Sequence, residues 1–182
     1  LPIPAFFSAE QQHHAISESG ALALIESKGT TLFQSLKLFD RLHLSLTDNL
    51  ILFPLAKKGH SQIPETTQKI TFTSGSTGQP KGVCLSIDNQ LAVADAIIQR
   101  TELQAIKHLC VLPLTTLLEN LAGIYAPLLS RGSVTLLPAA ELGFNGGRGF
   151  DVQQFLQTLS KHQPESVVLL PELLLTLVSA AE

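Results

Sequence analysis

The sequence predicts an α/β fold, a mostly parallel sheet flanked by helices, and three observations predict it. From about residue 70 onward four short apolar runs recur: "KITFTS", "HLCVLP", "SVTLLP" and "SVVLLP". None alternates apolar with polar, the pattern of a strand covered on both faces. Helix-like segments separate them, and strands alternating with helices at this spacing argue for βαβ units and a parallel sheet. The third observation is composition. Charged residues make up 15% of the 182 and hydrophobic residues 45%, against about 25% charged in an ordinary soluble domain. Either much of the chain lies in strands buried on both faces, or it was cut from a larger protein and exposes surface once covered. The start at Leu1 and the absence of Met favour the second.

Taken in order, Ser8 is expected to open a helix through "SAEQQHHAISES" that stops at Gly20. "ALALIES" and "NLILFPL" read as strands, and the polar "KKGHSQIPETTQ" as a surface linker. After the strand at 70, "DNQLAVADAIIQRTEL" puts Leu91, Ala94 and Ile98 on one stripe, with Ser86 as N-cap. "LLENLAGIYAPLLSRG" is a helix stopped at Gly132, with Pro127 shortening or kinking it. "DVQQFLQTLSKHQPE" carries Val152, Phe155, Leu156 and Leu159 on one face and closes at Pro164; a last helix begins at Pro171, a favoured first helical position. "GFNGGRG", residues 143–149, reads as a loop in which Arg148 attracts a phosphate or simply faces solvent. No internal repeat is present.

Several classes of function are disfavoured. A net charge of −3 leaves no basic footprint for nucleic acid. Cys84 and Cys110 lack metal-ligand spacing and read as reduced, partly buried apolar residues. No signal peptide is visible. The apolar run "SVVLLPELLLTLVSAA" is interrupted by Pro171 and Glu172 and is too short for a bilayer. A soluble cytoplasmic protein is expected. His13 and His14, adjacent on a helix, point about 100° apart, and His43, His60, His108 and His162 are scattered, so no metal site is expected. No Ser-His-Asp constellation can be assembled.

The chemistry concentrates in "ITFTSGSTGQPKGV", residues 70–83. Gly75 and Gly78 permit positive φ and close approach of backbone to a ligand. Successive N–H groups there can form an anion nest. Thr73, Ser74, Ser76 and Thr77 add hydroxyl donors, and Lys81 adds a positive charge. These are the parts that hold a polyphosphate. It is not a Walker A loop, because Lys81 is followed by Gly82 and Val83 rather than by Ser or Thr opening a helix. "GVCLS" reads as a second strand, so the loop is expected between two strands. A GxGxxG fingerprint is absent. On composition alone, a hydrophilic turn fits as well.

This stretch closely resembles the signature of the adenylate-forming, AMP-binding superfamily: acyl-CoA synthetases, adenylation domains of peptide synthetases, and luciferases. Ile70 to Lys81 fits the family's phosphate loop at every constrained position. "LPIPAFFSAEQQHHAISESGALALIES" is similar to the family's upstream segment. "VLPLTTLLENLAGIYAPLLSRGSVTLLP" and "HQPESVVLLPELLLTLV" are similar to its next landmarks. The resemblance covers nearly the whole chain but only part of a full member. It implies part of the large N-terminal domain, with residues 1–69 an upstream βαβ-like segment and linker and residues 70–182 the phosphate loop and repeated β-α units.

What the resemblance implies is an ATP-dependent ligase that activates a carboxylic acid, in the first instance a fatty acid, for transfer to CoA or a carrier pantetheine thiol. The carrier case would make an acyl carrier protein a partner. Thr73, Ser74, Gly75, Ser76, Thr77, Gly78 and Lys81 are the implied nucleotide-binding residues. Mg²⁺ would be held outside this segment, no catalytic residue lies within it, and adenylation would need the rest of the same polypeptide. Glu119 matches an acid of the long-chain branch and is the candidate substrate residue, against a bland reading as a solvated or capping acid. Three departures stand out: Thr116 where the family has a histidine, Asn120 where that branch has arginine, and Ser86-Ile87 where Thr-His is common. They keep open an alternative, a non-catalytic nucleotide-binding or scaffold module of the same fold.

Overall fold

Ser8 and Gln11 fix where the first helix begins. The Ser8 hydroxyl accepts from the Gln11 N–H at 3.2 Å, and the Gln11 side chain accepts from the Ser8 N–H at 3.0 Å, a reciprocal capping box that satisfies two orphan donors. Helix α1 (Ala9–Ser19) ends at Gly20, whose φ of 61° is the left-handed cap that glycine adopts without strain. Both ends fall where the sequence places them. The computed structural model describes residues 1–4, 7–27, 44–55, 62–73, 80–145 and 149–180. They form two units, Leu1–Ile87 and Asp88–Glu182.

In the first unit α1 buries Gln12, Ala15, Ile16 and Ser19, the three- and four-residue spacing of one helical face. Ile16 packs with Leu24, Ile3, Ala21 and Leu55. Leu24 lies on β1 (Ala23–Ser27), which pairs antiparallel with β3 (Leu50–Pro54); β2 (Leu44–Ser45) pairs antiparallel with the other edge of β3. The described pairings of residues 1–69 are thus antiparallel, where the sequence reading has a βαβ-like unit.

Strand β4 (Lys69–Thr73) pairs with β5 (Lys81–Leu85), in register from Lys69↔Leu85 to Thr73↔Lys81. The two strands around the loop are therefore present, but as an antiparallel ladder outside the parallel sheet. The connection explains it: seven residues join Thr73 to Lys81, and a parallel return needs a crossover of about a dozen or more. Only Thr71 of β4 is buried, so this strand is not covered on both faces here.

The parallel sheet belongs to the second unit. Helix α2 (Ile87–Thr101) leads to β6 (Lys107–Leu109), which runs parallel to β7 (Ser133–Thr135) on one side and to β8 (Ser166–Val167) on the other. Helix α4 (Val152–His162) connects β7 to β8, and α5 (Pro171–Ser179) follows. Leu109, Val111, Leu142 and Phe155 form the buried core, with the Phe150 ring tilted against Phe155 at 5.3 Å and against Phe144 at 5.1 Å. Asp151 caps α4 through the Gln154 N–H at 3.0 Å. Of the predicted face of α4, Phe155 is buried and Leu156 is exposed. On α2, Ala94 is buried, while Leu91 and Ile98 line a cleft beside Leu103 and Leu129.

Between β6 and β7 the chain departs from ordinary helix. Glu119–Tyr125 is π-helical, with the Ala126 N–H bonding back to the Leu121 carbonyl, and a short α-helix, α3 (Ala126–Leu129), carries Pro127 in its first turn. The stop is not a left-handed Gly132. Arg131 takes that conformation, at φ 64°, and Gly132 is needed for a different reason: a Cβ there would lie 2.3 Å from the Ile106 carbonyl oxygen. Among the described residues, no helix is long and apolar enough to cross a membrane.

Candidate functional site

The hairpin stem presents Thr73 and Lys81 opposite each other, both exposed. Ser74, Gly75, Ser76, Thr77 and Gly78 lie outside the described residues, as does Arg148. Lys81 forms no ion pair among the described residues. Its neighbour Pro80 is fully buried. The Pro80 carbonyl oxygen lies 3.0 Å from His14 Nε2; because a carbonyl only accepts, His14 must carry its proton on Nε2. The His14 ring also meets Phe72 of β4 edge to face, at 6.5 Å and 74°. One residue of α1 thus touches both sides of the loop stem. Exposed His13 does not share this role. His14, Glu18, Phe72, Pro80, Lys81 and Cys84 line a cleft of about 620 Å³, within the size range of small-ligand sites.

The second unit holds a buried polar cluster. His108 and Cys110 are two apart at the end of β6, so they share one face of the strand. Glu119, the first residue of the π-helical turn, meets them there. It is completely buried, not a solvated acid, and does not cap a helix; its Oε1 accepts from the Val111 N–H at 3.1 Å and lies 3.7 Å from His108 Nε2. His108 Nδ1 is 2.7 Å from Ser166 Oγ of β8. The Cys110 thiol reaches the Gly123 carbonyl at 3.5 Å, and burial, with the Glu119 carboxyl beside it, pushes its pKa up to about 12. His108 Nε2 and Glu119 Oε2 are buried without a hydrogen-bond partner. Nearby, Asn120 holds the approach to the helix, donating to the Leu114 and Thr116 carbonyls. That tie is within reach of an amide at this position. Sequence reasoning missed the cluster because it judged histidines by helical spacing and cysteines by their spacing from each other; the alternation His108-x-Cys110 on a strand was the available signal.

Comparisons with known proteins agree along the chain. The family model described as AMP-binding enzyme matches residues 1–182. The chain is 26% identical over 189 residues to the β-alanyl-bioamine nonribosomal peptide synthetase ebony of Drosophila melanogaster, covering 98% of this chain and 20% of that protein. It is 26% identical over 140 residues to 4-coumarate–CoA ligase-like 8 of Arabidopsis thaliana, covering 76% of this chain and 24% of that one. Among solved structures, the o-succinylbenzoate CoA synthetase of Bacillus subtilis, in complex with its acyl-adenylate intermediate, superposes with a TM-score of 0.63 at 16% identity, over 97% of this chain and 44% of that chain. The amide bond synthetase McbA of Marinactinospora thermotolerans gives 0.63 at 24% identity, over 93% and 34%. The chain therefore spans about a fifth to a quarter of the length of the relatives it matches.

Proposed function

Since the chain belongs to the AMP-binding enzyme family, we propose that it supplies the phosphate-gripping hairpin of an adenylate-forming ligase acting on a carboxylic acid. In that chemistry a carboxylate oxygen attacks the α-phosphorus of ATP, the bond to the β-phosphate breaks, and pyrophosphate leaves; a thiol of CoA or a carrier pantetheine then takes the acyl group. Thr73, Ser74, Gly75, Ser76, Thr77 and Gly78 hold the β- and γ-phosphates with hydroxyl and N–H donors, and Lys81 offsets their charge. The observation that carries this reading is the stem: Thr73 and Lys81 face each other in register, and the Lys81 charge is exposed and unpaired among the described residues. That donor set fits a polyphosphate. Mg²⁺ is held by residues elsewhere in the polypeptide, and the segment alone is inactive because such catalysis rests on positioning by several elements at once. Fatty acids are the proposed acyl class.

The test is carboxylate-dependent exchange of labelled pyrophosphate into ATP by the full-length protein over a panel of acids. Exchange is expected with at least one fatty acid, and Lys81→Ala is expected to lower it about 10²–10³-fold, the cost of about 2.7–4 kcal/mol in the transition state. A folded protein that exchanges with no acid overturns the catalytic reading and leaves the non-catalytic nucleotide-binding or scaffold module, for which Thr116 and Ile87 speak. Acids other than fatty acids as the only substrates overturn the acyl assignment alone.

A further inference from the structure

We propose that His108, Cys110 and Glu119 form a binding site for one divalent transition-metal ion of the Zn²⁺ type. Each of the three offers a donor atom, these atoms all lie within 4.8 Å of one another, and all three residues are buried. Two donors about 2.0–2.1 Å from a tetrahedral ion stand about 3.4 Å apart; His108 Nε2 and Glu119 Oε1 are 3.7 Å apart. Two atoms in the cluster, His108 Nε2 and Glu119 Oε2, are buried with no hydrogen-bond partner, an unfavourable state that a cation relieves.

Two further features suit an ion. Ser166 Oγ, 2.7 Å from His108 Nδ1, accepts the Nδ1 proton and leaves the Nε2 lone pair turned to the cluster, the arrangement that ligating histidines use. Gly123 keeps the space open: a Cβ there would stand 2.7 Å from Glu119 Oε1 and 2.9 Å from His108 Nε2. The mixture of nitrogen, sulfur and carboxylate oxygen selects Zn²⁺ over Mg²⁺ or Ca²⁺. Binding releases the Cys110 proton to solvent, since the thiolate is the ligand. The ion would pin the central strand β6 to the π-helical turn, independently of what the phosphate loop holds.

The protein, expressed at the full length its gene encodes, is stripped with a chelator, checked by circular dichroism, and titrated with Co²⁺ as the spectroscopic probe. About one equivalent is expected, with a thiolate-to-cobalt charge-transfer band in the near ultraviolet that Zn²⁺ displaces. The band should vanish in Cys110→Ser and persist in Cys84→Ser. Ser166→Ala should weaken the affinity about 10–100-fold, and it keeps the test alive if the ligand variants do not fold. A folded, stripped protein that gives no such band, or a band that survives Cys110→Ser, overturns the proposal. If stripping unfolds the protein, its metal content as isolated decides: about one zinc per chain supports the site, and a tenth of that or less overturns it.

Discussion

His14 Nε2 donates to the Pro80 carbonyl across 3.0 Å while the same ring meets Phe72 edge to face. Pro80 and Phe72 flank residues 74–79 on opposite sides, Phe72 within β4 and Pro80 just before β5, so a single imidazole on α1 braces both. His14→Ala is expected to cost about 1 kcal/mol of stability, the worth of one such hydrogen bond, and to raise the KM for ATP more than it lowers kcat. His14→Gln, which can still donate, should recover part of each. Urea melts and exchange kinetics check the pair; a His14→Ala protein with unchanged KM removes the bracing role.

Gly132 and Arg131 separate space from backbone conformation. A Cβ at Gly132 would press to 2.3 Å from the Ile106 carbonyl oxygen, so Gly132→Ala should destabilise by about 1–3 kcal/mol. Arg131 sits at φ 64°, a conformation that costs a residue with a Cβ about 1 kcal/mol. Arg131→Gly is therefore expected to be neutral or slightly stabilising. Denaturant midpoints measured side by side decide, and the reverse order would contradict the assignment.

Phe155 is fully buried at the centre of the second unit's core, against Phe150 and the residues around Leu109. Phe155→Ala should lose about 3–5 kcal/mol. Leu156→Ala, one residue on but exposed, should lose well under 1 kcal/mol. Equal losses would show that this helix presents a different face.

The two thiols should behave oppositely. Cys84 is exposed and Cys110 buried, with a pKa pushed up to about 12. Native protein treated with iodoacetamide near pH 8 should be labelled at Cys84 alone, and denatured protein at both, as read by peptide mass spectrometry. The folded Cys110 holds its proton where the unfolded thiol, at its ordinary 9.0, has released it. In chelator, the stabilisation from this protonated thiol is complete below about pH 9 and lost as pH climbs toward 12. Cys110→Ala should flatten that alkaline slope.

Local rules made much of this chain legible. Ser8 and Gln11 signal a helix start, Gly20 its end, and Asp151 and Pro171 the starts of two later helices, because capping depends on a few adjacent residues. The two strands β4 and β5 were equally readable. What local pattern hides is contact at a distance. The antiparallel direction of β4 and β5 follows from the length of their connection, not from either strand's composition. Glu119 looks like an ordinary surface acid until the turn after β6 folds it onto His108 and Cys110. Nothing in its neighbours' hydropathy announces that burial.

The π-helical stretch Glu119–Tyr125 carries a tolerance limit for insertions and deletions. Its wide winding accommodates one residue more than an α-helix would over the same rise. Trimming a single residue there would let the coil tighten into regular winding and leave the side chains beyond the cut close to their present phase, whereas the same cut in a regular α-helix re-phases them by about 100°. A further insertion would find no such slack, and Leu121, Gly123 and Ala126, all packed inward, could not then keep their seats together. Within that stretch, length variation in this protein's descendants should therefore be the loss of one residue and not a gain.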